Sequence, residues 1–278
     1  MGVKVRTVNG AKELQVQDVP WTPELSERFA AEGCTGLLVG SPGGPAVPDL
    51  GFVRDLPGLT RVRLLRGVAD CSAVADVPAL EELALATDYH GPLALAGLTR
   101  LRVLGMPFLP AVADLAKLRE LRELTVWDWP KTEPSLEVLG DKPSLEFLRL
   151  ELKRTTTLTL AGLAAPKLRT LWLYDGKVTF AGEFPDLEIV QLNSTKVASL
   201  DFVRTLPRLQ ELDLQNGGEV ESLAPLRGHP ALRTVAFGGR TTFRDGDLSP
   251  LRELPVVENV SFERGAPHYN LKPAEVRK

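Results

Sequence analysis

Histidine is almost missing from this sequence: His90, His229 and His268 are the only three, and they lie far apart along 278 residues. That spacing argues against a shared metal site or a Ser-His-Asp arrangement. Cysteine is scarcer still. Cys34 and Cys71 both occupy positions that ask for an apolar residue, so buried, reduced thiols are expected, which suits a cytoplasmic chain. No run approaches 18 consecutive apolar residues, which leaves no membrane-spanning helix. The opening M-G-V-K-V-R-T-V lacks an apolar signal core, and Arg6 spoils a myristoylation motif at Gly2. Basic excess is also lacking: the net charge of −3 gives no electrostatic footprint for nucleic acid. The glycine-rich stretch at 40–45 has no phosphate-loop lysine, and Arg244-Asp245-Gly246-Asp247 has no later calcium ligands. Asn193-Ser194-Thr195 spells a glycosylation sequon that a cytoplasmic chain would not use. The expectation is a chain with no enzymatic activity, no catalytic residues, no cofactor and no metal. Ile189 is the only isoleucine and arginine outnumbers lysine two to one, a bias associated with GC-rich bacterial genomes.

What the sequence has in abundance is one phrase. Pro166 to Leu173 reads P-K-L-R-T-L-W-L, with Leu168, Leu171 and Leu173 in an L-x-x-L-x-L frame that ends in strand-like alternation. The frame recurs at Leu59-Val62-Leu64, Leu80-Leu83-Leu85, Leu101-Leu104-Met106, Leu121-Leu124-Val126 and Leu145-Leu148-Leu150. It continues at Leu187-Val190-Leu192, Leu209-Leu212-Leu214, Leu232-Val235-Phe237 and Val257-Val260-Phe262, and a weaker copy, Cys34-Leu37-Val39, precedes them all. Eleven copies spaced 19 to 25 residues apart form a repeat array. Returns such as D-F-V-R-T-L-P at 201–207 suit short helices or 3₁₀ turns, whereas the returns at 153–166 and 176–185 are β-rich and predict extended walls.

The pattern resembles the leucine-rich repeat family, and within it the bacterial internalin-like short-repeat class, over roughly residues 34 to 262. The resemblance implies an α/β leucine-rich repeat solenoid: a curved right-handed horseshoe with a parallel β-sheet on its concave face and short helices, 3₁₀ turns or extended segments on its convex face. The family's turn asparagine is absent throughout. Its positions hold Gly67, Asp88, Leu109, Trp129, Lys153, Gly176, Thr195, Gly217 and Arg240, so glycine conformations, threonine, aspartate or water must satisfy the turn backbone. The expected organisation has an N-terminal cap at 1–33, about eleven repeats at 34–262 and a tail at 263–278. In the cap, Asn9-Gly10 joins a hairpin and Thr22-Pro23-Glu24 starts a helix with Leu25 and Phe29 inward. Trp21 is expected to pack in this cap. The tail is expected to cover the last strand through Tyr269 and Leu271 or to stay mobile; an uncovered edge would permit weak self-association of a monomer.

Alternation sends the residues between the leucines outward. Aromatic and acidic side chains then gather on the middle repeats: Trp127 and Asp128; Phe147, Arg149 and Glu151; Trp172, Tyr174 and Asp175; Gln191 and Asn193; Glu211, Asp213 and Gln215. Trp127, Glu151 and Tyr174 take equivalent places on consecutive strands, which puts two rings about 9–10 Å apart around a carboxylate. Small residues (Ala84, Ala86, Gly105, Pro107) precede this region, and Arg61, Arg63 and Arg66 form a secondary basic patch. Trp129 is expected in the core and His229 in a structural turn. Aromatic anchors beside charge are the make-up of an interface hot spot. The expected function is therefore a protein- or peptide-binding module, acting as regulator, inhibitor or adaptor on a partner with basic or hydrophobic residues, with no nucleic acid or membrane involved. The alternative is an accessory enzyme subunit or small-ligand binder that is active only in complex.

Overall fold

The computed structural model describes residues 2–44, 46–262 and 266–276. Two compact units, 1–127 and 128–278, divide the chain. The first opens with β1 (Gly2–Val8) and β2 (Ala11–Gln17), an antiparallel hairpin whose turn residues Asn9 and Gly10 have φ of 51° and 78°, as a type I′ turn demands. Helix α1 (Pro23–Ala31) follows Thr22, buries Phe29 and is followed by Gly33 at φ 65°. The Thr22 side chain does not cap the helix backbone as the sequence suggests; its bond goes to Glu24, whose carboxyl it helps hold below the usual range. Trp21 stacks flat on Phe52 at 3.9 Å and donates its indole N–H to Ser26.

From β2 onward every neighbour in this unit is parallel: β3 (Gly36–Gly40), β4 (Arg61–Leu64), β5 (Glu82–Ala84), β6 (Val103–Pro107) and β7 (Glu123–Trp129), whose last two residues open the second unit. The returns contain the 3₁₀ segments Gly51–Asp55, Ser72–Asp76 and Pro110–Lys117. Cys34 and Cys71 are buried free thiols.

In the second unit the main sheet runs β8 (Phe147–Leu152), β10 (Thr170–Tyr174), β12 (Ile189–Asn193), β13 (Glu211–Gln215), β15 (Thr234–Gly238) and β17 (Asn259–Phe262), all parallel. Behind it β9 (Thr157–Thr159) pairs with β11 (Lys177–Thr179), the extended return wall that the threonine-rich sequence predicts. A second such pair, β14 (Glu219–Val220) with β16 (Thr242–Phe243), carries no comparable sequence signal.

Register explains why the leucines recur. Leu148, Leu171, Val190, Leu212, Val235 and Val260 form one inward row; Leu150, Leu173, Leu192, Leu214, Phe237 and Phe262 form the next. All are buried, and each such side chain contributes about 1.5–3 kcal/mol. Threonine replaces the missing asparagine in part. The buried hydroxyls of Thr156, Thr195 and Thr241 donate to the carbonyls of Trp129, Leu173 and Leu214 at 3.1, 2.9 and 3.0 Å. Asp88 does not serve in this way; it is exposed and pairs with Arg66. Trp129 is fully buried and bonds the Glu133 carbonyl, and His229 is a buried turn residue on the Leu206 carbonyl. Lys142, also fully buried, donates to the carbonyls of Leu139 and Asp141.

Of the tail, 266–276 are described. They dock on the return side and also reach the last strand: Tyr269 accepts the Phe243 amide, Asn270 accepts that of Leu248, and α2 (Pro273–Val276), which packs beside β17, receives Arg252 at the Glu275 carbonyl. Residues 263–265 and 277–278, to which part of the tail expectation refers, lie outside the described ones, as does Pro45 of the glycine-rich stretch.

Candidate functional site

The open face of the second unit is laid out by the same register. Arg149, Trp172, Gln191, Asp213, Ala236 and Ser261 share one row; Glu151, Tyr174, Asn193, Gln215 and Gly238 share the next. Phe147 and Glu211 stand in the row before. The chain alternates leucine and polar or aromatic residues, so these side chains emerge on the face opposite the core.

Trp172 is half-buried. Phe147 meets its ring edge-on at 5.0 Å, and the indole Nε1 is covered without a hydrogen-bond partner among the described residues. Arg149 lies over the Tyr174 ring at 4.6 Å and bonds Glu151 at 2.5 Å, while its Nε is likewise buried and unpartnered. The Tyr174 ring therefore meets an arginine rather than a carboxylate, and Glu151 is already paired with that arginine.

Two strands on, the charge is uncompensated. Glu211 accepts from Gln191 at 3.1 Å and Asp213 from Gln215 at 2.6 Å, but neither has a cationic partner among the described residues. Burial pushes the Asp213 carboxyl up against the Gln215 hydrogen bond, and the neighbouring Glu211 charge adds to the rise. Gln191 and Asn193 flank Asp213 and Gln215 on the β12 side, but on the β15 side their register partners are Ala236 and Gly238, which leaves room next to Asp213.

The other residues singled out from sequence fall elsewhere. Asp175 sits past the strand end at φ 60° and lies 3.8 Å from Arg154. Asn193 is exposed and bonds Ser194. In the first unit Trp127 lies across Gly105, where an added Cβ would meet its ring at 3.0 Å; the missing side chain there is what seats the ring. Asp128 is exposed at φ 58°. The three arginines do not form a free patch. Arg63 grips the buried Glu13 with two bonds of 2.7 and 2.9 Å, Arg61 donates to the Val8 carbonyl, and Arg66 pairs with Asp88. Burial raises the Glu13 carboxyl, but bonds from Arg63 and Gln15 and the Arg63 charge outweigh it, so its pKa is lowered.

Among the described residues no three His, Cys, Asp or Glu side chains gather as a metal site, and no helix is long and apolar enough to cross a membrane. No protein-family model and no curated protein matches the sequence. Among solved structures, an internalin of Listeria monocytogenes is similar at 15% identity over 91% of this chain and 87% of its own, with a TM-score of 0.51. The fold is the leucine-rich repeat. A Leptospira interrogans leucine-rich-repeat protein (14% identity, 95% and 85% covered, TM-score 0.41) and internalin C2 of Listeria monocytogenes (17%, 90% and 80%, 0.35) also match. At such identities the likeness to the internalin carries the repeat fold alone. The repeat frame does show why the strand-end residues Arg154 and Asn216 escaped sequence inspection: they follow the last strand leucine at places where the frame sets no residue type.

Proposed function

We infer that this leucine-rich-repeat chain is a non-enzymatic recognition module that binds a protein or peptide on the open face of its second unit. One observation carries the reading: a half-buried Phe147–Trp172–Tyr174 cluster stands about 10 Å, two strand spacings, from the uncompensated Glu211 and Asp213. Aromatic anchors supply contact area at low entropy cost, and carboxylates beside small residues accept a lysine or arginine. The complementary partner places an apolar side chain on Trp172 and a cationic one over Ala236 against Asp213. Leaving the indole N–H and the Arg149 Nε buried and unpartnered costs about 1–3 kcal/mol each, and strain of this kind gathers where a surface is kept for binding rather than for stability.

The test is capture from extracts of the source cell with wild type against Trp172→Ala, followed by affinity measurement on the purified partner. A loss of about 2 kcal/mol, roughly 30-fold, is expected with the urea midpoint nearly unchanged. Undiminished binding by a folded Trp172→Ala chain sinks the assignment. Turnover of a substrate by the isolated chain sinks the non-enzymatic reading.

A further inference from the structure

A second surface on the same unit lies at the strand ends rather than on the sheet face. After β10, β12 and β13 the chain turns through Asp175, Ser194 and Asn216, with left-handed φ of 60°, 54° and 55°. Their amides donate to the carbonyls of Asn193, Gln215 and Gly238 on the following repeat. This repeated turn lines the three side chains along one rim. Together with Arg154 and Arg240 they enclose a recess of about 360 Å³.

The recess is rich in donors. Arg154 leans along the rim toward Asp175, but at 3.8 Å and with its side chain 92% exposed, in a pair that an incoming anion displaces. Arg240 is exposed and has no hydrogen bond or ion pair among the described residues. Two guanidiniums against one carboxylate leave a net positive site, with a carboxamide and a hydroxyl between them, the hydroxyl held only by a long 3.3 Å bond to Asn193 that an anion displaces.

We propose that this rim recess binds a phosphoryl group, with Arg154 and Arg240 reaching it from the two ends of the row and Ser194 and Asn216 donating between them. A planar guanidinium presents paired N–H donors that match phosphoryl oxygens. Two such forks and two single donors exceed what the two oxygens of a carboxylate accept and suit three terminal oxygens. The same chemistry is offered by a free phosphate ester and by a phosphorylated side chain. The site does not depend on the Trp172 surface, so either can fail alone.

Titration calorimetry of the full chain at constant ionic strength, with inorganic phosphate, acetate, and a phosphoserine peptide beside its unphosphorylated form, tests this. Saturable phosphate binding, one per chain, is expected, weakened about tenfold by Arg240→Ala. Asp175→Asn is expected to tighten it, because Asn keeps the left-handed turn and removes the competing carboxylate. Arg204→Ala, on a return segment, leaves binding unchanged. A phosphopeptide that binds tighter than inorganic phosphate identifies a protein-borne group; equal affinity identifies a free ester. Wild-type affinity in Arg240→Ala, or acetate bound as tightly as phosphate, overturns the proposal.

Discussion

Two residues act on the stability of the fold with opposite signs. Asp213 is half-buried with its carboxyl pushed up by burial and by Glu211. A raised folded pKa means that the charged form, the one present at neutral pH, is disfavoured in the folded state. Asp213→Asn keeps an oxygen for Gln215 and removes the charge. It is expected to stabilise the chain by about 0.5 kcal/mol at pH 7, read as a higher urea midpoint, while weakening a cationic partner. Thr195 is the opposite case. Its hydroxyl is buried and serves the Leu173 carbonyl at 2.9 Å, and the isosteric Thr195→Val removes that bond between repeats. A loss of about 1 kcal/mol is expected in denaturant titration, with no change in binding at the open face. Neither effect was legible in full. The leucine frame announces that Asp213 faces outward and Thr195 turns, but the partners that decide the signs, Glu211 beside one and Leu173 a full repeat before the other, are selected by stacking.

At the scale of elements, alternation and punctuation made most of the fold readable: Asn9-Gly10 gives the hairpin, proline-ended returns give 3₁₀ turns, and the threonine-rich stretch gives β9 and β11. Pairing across strands was less readable. Arg61 and Arg63 look like a basic patch in sequence because Glu13 lies 50 residues before Arg63. The hairpin brings that carboxylate onto the same face and ties β2 to β4. With Glu13 only 1% exposed, Arg63→Ala strands a buried charge and is expected to cost about 3 kcal/mol. The double change Glu13→Leu with Arg63→Met is expected to restore most of it. Hydrogen exchange of the β1 and β2 amides should rise in the single variant and fall back in the double; equal protection in all three chains would mean that the pair does not hold the hairpin. The Phe147–Trp172 and Arg149–Tyr174 contacts follow the same rule. Direction was set by alternation, but which neighbour each ring met depended on register.

For the whole molecule the charged groups set a window of pH. Glu13, Asp70, Asp114 and Asp247 have carboxyls held low: hydrogen bonds and, at each of them, a nearby cation outweigh burial. Folding therefore gains from their ionisation above the ordinary carboxylate range, and that gain is lost as pH falls through their lowered values. The alkaline side works the other way. Burial pushes the Cys71 thiol from 9.0 up to about 11, and Tyr89 and Tyr269 are raised as well, chiefly by burial. The unfolded chain releases the thiol proton first, so stability is full below pH 9 and falls as pH climbs toward 11. One such group over two pH units contributes about 2 kcal/mol. The urea midpoint is expected to hold level from about pH 5 to 8 and to decline on both sides. In Cys71→Ala the level value drops because packing is lost, yet its fall between pH 9 and 11 should be shallower than in wild type. Parallel alkaline limbs in the two chains would show that Cys71 is deprotonated as easily folded as unfolded, and that the first unit's interior is open to water at that thiol.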